Sequence, residues 1–261
     1  SGGSDGIGTL ATLYSPTDVS ISSDGIFAVC LCLHGHRIRH IDMSTAAVTT
    51  IGGDGSSGSN DGTGTSARFH YPVGVALSSV SVSVGSYALI ADQNNHKIRK
   101  IVLSTLVVST VAGSGSAGGV NGVGTSASFS NPLHLTFSSD DSYVVISEYS
   151  GGNRVRKLVV STGEVSTVAG SSSGSLGSAD GVGTSASFNG PQGLVLTSDD
   201  SVLFVADRYN HKLRRIDMPT GVVSSVIGSS SSAAFSEPIG LSWLSVDSVL
   251  VVAERGNHRL Q

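Results

Sequence analysis

What is scarce in this chain of 261 residues narrows its reading first. It has two cysteines, Cys30 and Cys32, so no disulfide framework holds the fold. Two apart on one strand, they face the same side and are expected as buried free thiols. Charged residues are 13% of the chain, about half the usual share. The net charge is −4 and the pI near 6.0, which gives no general attraction for nucleic acid or an anionic membrane. No apolar run approaches a bilayer span, and the first residues lack a signal-peptide pattern. There is no Asn-x-Ser/Thr sequon. A Gly-x-Ser-x-Gly elbow, a phosphate-binding loop, an HExxH pair and clustered cysteines are also missing, so no specific reaction is indicated.

Glycine and serine are what the chain has in excess, 34 and 49 residues, set among short valine-rich runs. That is the composition of many short β-strands joined by small-residue turns. The turns are arranged as a repeat. "DRYNHKLRRID" (207–217) recurs as "HGHRIRHID" (34–42), "DQNNHKIRKIV" (92–102), "EYSGGNRVRKLV" (148–159) and "ERGNHRLQ" (254–261). Upstream of each stands a proline unit at Pro16, Pro72, Pro132, Pro191 and Pro238. A third element, "DGTGTSARFHYP" and its kin, precedes the first four prolines, with a shortened "SSAAFSEP" before the fifth. Within a unit, "GLVLTS", "VLFVAD", "LRRID" and "VVSSVIG" read as four strands, a to d, in an antiparallel meander. Five such sheets at intervals of 47 to 60 residues read as blades of a β-propeller, with cores at about 16–53, 72–113, 132–170, 191–228 and 238–261.

The recurrence supplies a control that a single motif lacks. A catalytic residue is needed once, whereas a residue demanded by blade geometry returns in every blade. The acid slot holds Asp92, Glu148, Asp207 and Glu254, with Cys32 in the first blade. Asn95, Asn210 and Asn257 precede His96, His211 and His258; Asn153 takes the histidine place in the third blade. Arg99, Arg156 and Arg214, with Arg39, fill the arginine slot. An acid ending strand b and an arginine opening strand c are expected to pair across the hairpin, while Asn and His shape the turn. Histidines in separate blades stand too far apart to share one ion.

The pattern Asn-His-x-(Ile/Leu)-Arg after an Ala-Asp strand end, with Pro-x-Gly upstream and "TGxVSTVAG" downstream, resembles the NHL-repeat propeller family over essentially the whole chain. The resemblance implies a ring of about six blades, to be completed by sequence outside this chain as part of a longer protein. It does not imply one activity, because the family includes RNA-binding regulators, extracellular adhesion proteins, bacterial sensor domains and a zinc-dependent peptide-amidating lyase.

Function is sought where the blades differ. Two residues after the proline, Asp18 and His134 replace the glycine found at Gly74, Gly193 and Gly240. With His70 they form a possible divalent-metal set at a central channel, the basis of an alternative reading as a metal-dependent lyase or hydrolase. Asp5, Asp61 and Asp180 of the "DGxG" element lack a calcium-loop pattern. The d–a linkers 54–71, 114–131 and 171–190 are long, the one at 229–237 is short, and "SSVSVSVGSYALI" (78–90) extends an a–b hairpin. Linkers and b–c turns are expected to build one crown, open beside the fifth blade. The leading expectation is a cofactor-free, non-catalytic structural or protein-interaction propeller, extracellular or at the cell surface. Its partners would be other proteins or further domains of the same chain, with glycans on Ser/Thr a possibility. RNA binding is the least favoured alternative, and the segment holds no membrane span.

Overall fold

The computed structural model describes residues 3–79, 85–227, 235–244 and 248–261. It is all-β: five antiparallel blades of a propeller, with helix among the described residues only as 3-10 turns. Blade 1 comprises β1 (Gly6–Ile7), β2 (Pro16–Ile21), β3 (Phe27–Cys32), β4 (Arg37–Asp42) and β5 (Ala47–Gly52). Blade 2 comprises β6 (Gly62–Thr63), β7 (Pro72–Leu77), β8 (Tyr87–Asp92), β9 (Lys97–Val102) and β10 (Val107–Ala112). Blade 3 comprises β11 (Gly122–Val123), β12 (Pro132–Phe137), β13 (Tyr143–Glu148), β14 (Arg154–Val159) and β15 (Glu164–Ala169). Blade 4 comprises β16 (Gly181–Val182), β17 (Pro191–Leu196), β18 (Val202–Asp207), β19 (Lys212–Asp217) and β20 (Val222–Ile227). Blade 5 comprises β21 (Pro238–Leu244), β22 (Val249–Glu254) and β23 (Arg259–Leu260).

The four-stranded expectation needs one correction. In blades 1 to 4 the glycine-rich linker contributes a two-residue fifth strand to the outer edge, as in the order β6-β10-β9-β8-β7. Gly62 and Thr63 pair with Val108 and Val107 before the chain crosses to the proline of strand a. An outer edge that would otherwise offer unpaired backbone groups is thereby partly covered. Sequence patterning misses this strand because two residues carry no periodicity.

Two compact units are distinguished: Ser1–Ser116 with Gly124–Ser128, and Ala117–Val123 with Phe129–Gln261. Strand b of each early blade is apolar on both faces because both faces are covered. In the first unit Ala88, Leu89, Ile90 and Ala91 are all fully buried, and Ile90 joins Val29, Leu31, Ile38, Phe69 and Val75 in one cluster. In the second, Val145, Val155, Phe188, Leu194, Val205 and Ile216 form the counterpart. Trp243 on β21 is half-buried and stacks on Phe204 with ring centroids 5.8 Å apart. Part of the 78–90 run and most of the 229–237 linker lie outside the described residues, so their expected roles do too.

Candidate functional site

Each complete motif converges on a buried arginine. Arg99 opens strand c of blade 2 opposite Ile90, and its side chain is fully enclosed. Nη1 donates to Asp92 Oδ2 at 2.8 Å and to the Arg68 carbonyl at 3.0 Å. Nη2 donates to Asp61 Oδ1 at 2.7 Å and to the Asn60 carbonyl at 2.9 Å. The Phe69 ring lies 5.1 Å beneath the guanidinium, a cation–π contact in a site closed to water. The planar fork of arginine meets four acceptors at once, which a lysine could not do. Blade 4 repeats the node with Arg214, Asp207, Asp180 and Phe188, and blade 3 with Arg156, Glu148, Asn121 and Phe129.

The expected acid–arginine pair across the b–c hairpin is therefore present, but it is half of the arrangement. The aspartate of "DGxG", which carried no assigned role, is the second carboxylate. Asp61 accepts from Arg99 and from the Thr110 backbone and hydroxyl, tying linker, strand c and strand d together. Blade 1 shows that this half can stand alone. Cys32 replaces the strand-b acid, yet Arg39 still pairs with Asp5 at 2.8 Å. The legible signal was that the element, "DGxG" in three of the first four units and "NGVG" in the third, occurs together with the arginine in all four.

Burial sets the electrostatics of the node. It pushes the Asp92, Glu148 and Asp207 carboxyls above their ordinary range, against the pull of their arginines and donated hydrogen bonds. At Glu254 the burial penalty is outweighed by bonds from Arg259, Ser236 N–H and Asn257, and its carboxyl lies below. Asp5, Asp61 and Asp180 meet desolvation too, but their threonine or serine donors and arginines bring them lower.

The acid and histidine slots also hold the segment before each proline. Asp92 Oδ1 accepts the His70 N–H at 2.8 Å, and Asp207 accepts that of Asn189 and Glu254 that of Ser236. Asn95 Nδ2 bridges Asp92 Oδ2 and the Gly58 carbonyl; Asn210 does the same with Asp207 and Gly177, and Asn257 donates to Glu254. His36, His96, Asn153, His211 and His258 end the b–c turn with φ between 48° and 54°. Asn and His are among the side chains that tolerate this left-handed region. At three of these positions the ring or amide reaches into the next blade. His36 Nδ1 accepts the Tyr71 N–H at 3.3 Å, Asn153 Oδ1 that of Gly190 at 3.0 Å, and His211 Nδ1 that of Glu237 at 3.1 Å. Tyr71, Gly190 and Glu237 stand directly before a proline, themselves at positive φ. The slot is an inter-blade clasp, which accounts for the interchange of His with Asn.

The positions that break the repeat do not converge in the same way. Asp18 lies on β2 and His70 on the linker of the first unit, while His134 lies on β12 of the second. Asp18 Oδ2 accepts the Val75 N–H of the neighbouring inner strand at 2.8 Å. Among the described residues no group of three or more His, Cys, Asp or Glu side chains is gathered to hold a metal. Gly193 explains the glycine usually found in this slot: a Cβ there would stand 2.6 Å from the Ile239 carbonyl of the adjoining strand. Cys30 and Cys32 are buried free thiols, and burial pushes Cys30 up to about 11.

Beyond the node, the b–c turns and the segments before the prolines carry aromatic and basic side chains, of which Tyr14, His34, Tyr209 and Arg255 are exposed. In the first unit Tyr14, His34, His36, His70 and Tyr71 form a chain of rings with centroids 5.1 to 5.7 Å apart. In the second, Tyr149 and Tyr209 share a hydrogen bond between hydroxyls, Arg208 lies over Tyr209, and Glu237 receives Arg208 and Arg255. No helix among the described residues is long and apolar enough to cross a membrane.

No family model matches the chain. Among curated proteins it is 28% identical over 243 residues to NHL repeat-containing protein 2 of Homo sapiens, covering 84% of this chain and 33% of that one. The chain thus spans about a third of the length of that relative. Among solved structures it resembles an auxiliary nutrient binding protein of Bacteroides thetaiotaomicron, with TM-score 0.62, 15% identity and coverage of 95% and 68%. It also resembles virginiamycin B lyase from Staphylococcus aureus, with TM-score 0.59, 14% identity and coverage of 98% and 75%. At these identities the structural likenesses speak for the fold alone. The recurring Asn-His-x-x-Arg corner, the five blades it builds and the match to NHL repeat-containing protein 2 are together consistent with an NHL-repeat β-propeller.

Proposed function

We propose that this propeller is a non-catalytic protein-binding module whose working surface is the side carrying its b–c turns and linkers. One observation carries the reading. Every acid and arginine that the described blades share in a reactive-looking motif is engaged in the scaffold, as with Arg99 between Asp92 and Asp61, and His36 and His211 are bonded to the backbone of the next blade. What faces solvent on that side is Tyr14, Tyr209 and Arg255, side chains of the kind enriched at interfaces. The serine-glycine linkers beside them are polar and vary between blades, as recognition loops on a rigid frame do.

The experiment is partner capture by the full-length protein, comparing wild type with Tyr14→Ser/His34→Ser and with Tyr209→Ser/Arg255→Ser. Partners lost with either pair, and retained when the c–d turn residue Thr45 is changed to Lys, support the surface. Partners that are indifferent to both pairs overturn it.

A further inference from the structure

We infer that the His36–Tyr71 clasp is an acid-sensitive latch between blades 1 and 2. The inference stands on the geometry of the motif and is independent of the interaction reading above.

The latch depends on one lone pair. His36 Nδ1 accepts the Tyr71 N–H at 3.3 Å, so the ring must be neutral with its proton on Nε2. An imidazolium carries protons on both nitrogens, and protonation turns this acceptor into a donor aimed at another donor. The released N–H belongs to a residue at φ 56° immediately before Pro72, and the carbonyl of that same residue accepts the Gln93 N–H at 3.3 Å.

The surroundings of His36 make that proton hard to accommodate. His70, from the linker, stands 5.7 Å away ring to ring, Tyr71 stacks on His36 at 5.2 Å, and His34 contacts Tyr71 and Tyr14. From β4, Arg37 follows His36 directly and donates to the Asp54 carbonyl. The nearby carboxylates are already matched: Asp54 by Arg68, and Asp92, which holds the His70 N–H, by Arg99. Burial and the neighbouring His70 and His34 rings hold His36 below its ordinary value.

The other clasps serve as internal controls. His211 makes the same bond to the Glu237 N–H, but there the Glu237 carboxylate lies close enough to feel the histidine's charge. Asn153 makes it to the Gly190 N–H with an amide that does not titrate. The sign follows from these arrangements. The released chain binds a proton near the ordinary imidazole value of about 6.5, before the latched form does. The latch is at full strength above that pH and weakens as pH falls toward the lowered value.

Amide exchange of the intact chain, expressed as protection factors from pH 7.5 to 5, tests this directly. Protection at Tyr71 should fall on the order of tenfold for each unit by which the His36 value is lowered. Protection at Gly190 should stay level. His36→Asn, which copies Asn153 and suits the left-handed turn, should keep Tyr71 protected and flatten its profile. A level wild-type profile at Tyr71, or a fall matched at Gly190, overturns the latch. So does a fall that survives in H36N. If H36N does not fold, the wild-type comparison of Tyr71 with Gly190 decides alone.

Discussion

Replacing Arg99 with Met isolates the interaction on which each complete blade is hung. The arginine is fully enclosed, stacked on Phe69, and donates to two carboxylates and two carbonyls. Methionine fills much of the space but leaves Asp92, whose side chain is 0% exposed, without a counter-ion. Breaking a buried pair from one side costs about 3–5 kcal/mol. Asp61 is the contrast within the same node, since its side chain is 50% exposed and water can replace Arg99 and Thr110. Asp61→Ala is expected to cost about 1 kcal/mol. At about 2–4 °C per kcal/mol for domains of this size, R99M should melt on the order of 10 °C lower and D61A only a few degrees lower. Circular dichroism melts give the ordering, and hydrogen exchange should place the loss in blade 2. Equal shifts for the two variants, or a loss below about 1 kcal/mol for R99M, would refute the argument that enclosure makes the arginine matter.

Further outcomes follow from the same structure. Gly193→Ala sets a Cβ 2.6 Å from a backbone carbonyl and should destabilise by about 1–3 kcal/mol, whereas Gly240→Ala, 3.4 Å from a side-chain carbon, should cost less; urea melts distinguish them. Cys30 and Cys32 are buried, with Cys30 pushed up to about 11, so a thiol reagent at pH 8 should modify both slowly in the native protein and rapidly in denaturant. Asp5, Asp61 and Asp180 are lowered in the fold, so their contribution is present above the unfolded carboxyl value of about 3.9 and lost as pH falls through the folded values. Asp180→Asn should flatten the acid limb of a stability-against-pH curve; an unchanged limb would count against the Asp180–Arg214 tie.

The all-β class, the five repeating units and the architectural role of the Asp-Asn-His-Arg corner were legible in the residue order alone. Repetition is a local property, and a residue returning at one offset from blade to blade answers to geometry that the blades share. Phe69, Phe129 and Phe188, which stand at one offset before the proline in three successive units, answer to the same shared geometry and are fully buried. Three matters waited for the tertiary structure. The two-residue outer strand has no periodicity, and only its pairing with strand d reveals it. The partnership of Asp61 with Arg99 spans 38 residues, a distance over which sequence order says nothing about contact. The reach of His36 and His211 into the following blade was invisible for the same reason, since it depends on where one blade sets down its neighbour's proline. Sequence specifies what each strand and turn must be; which donors meet which acceptors between blades is decided only when the blades pack, because that packing places their backbones within hydrogen-bonding range.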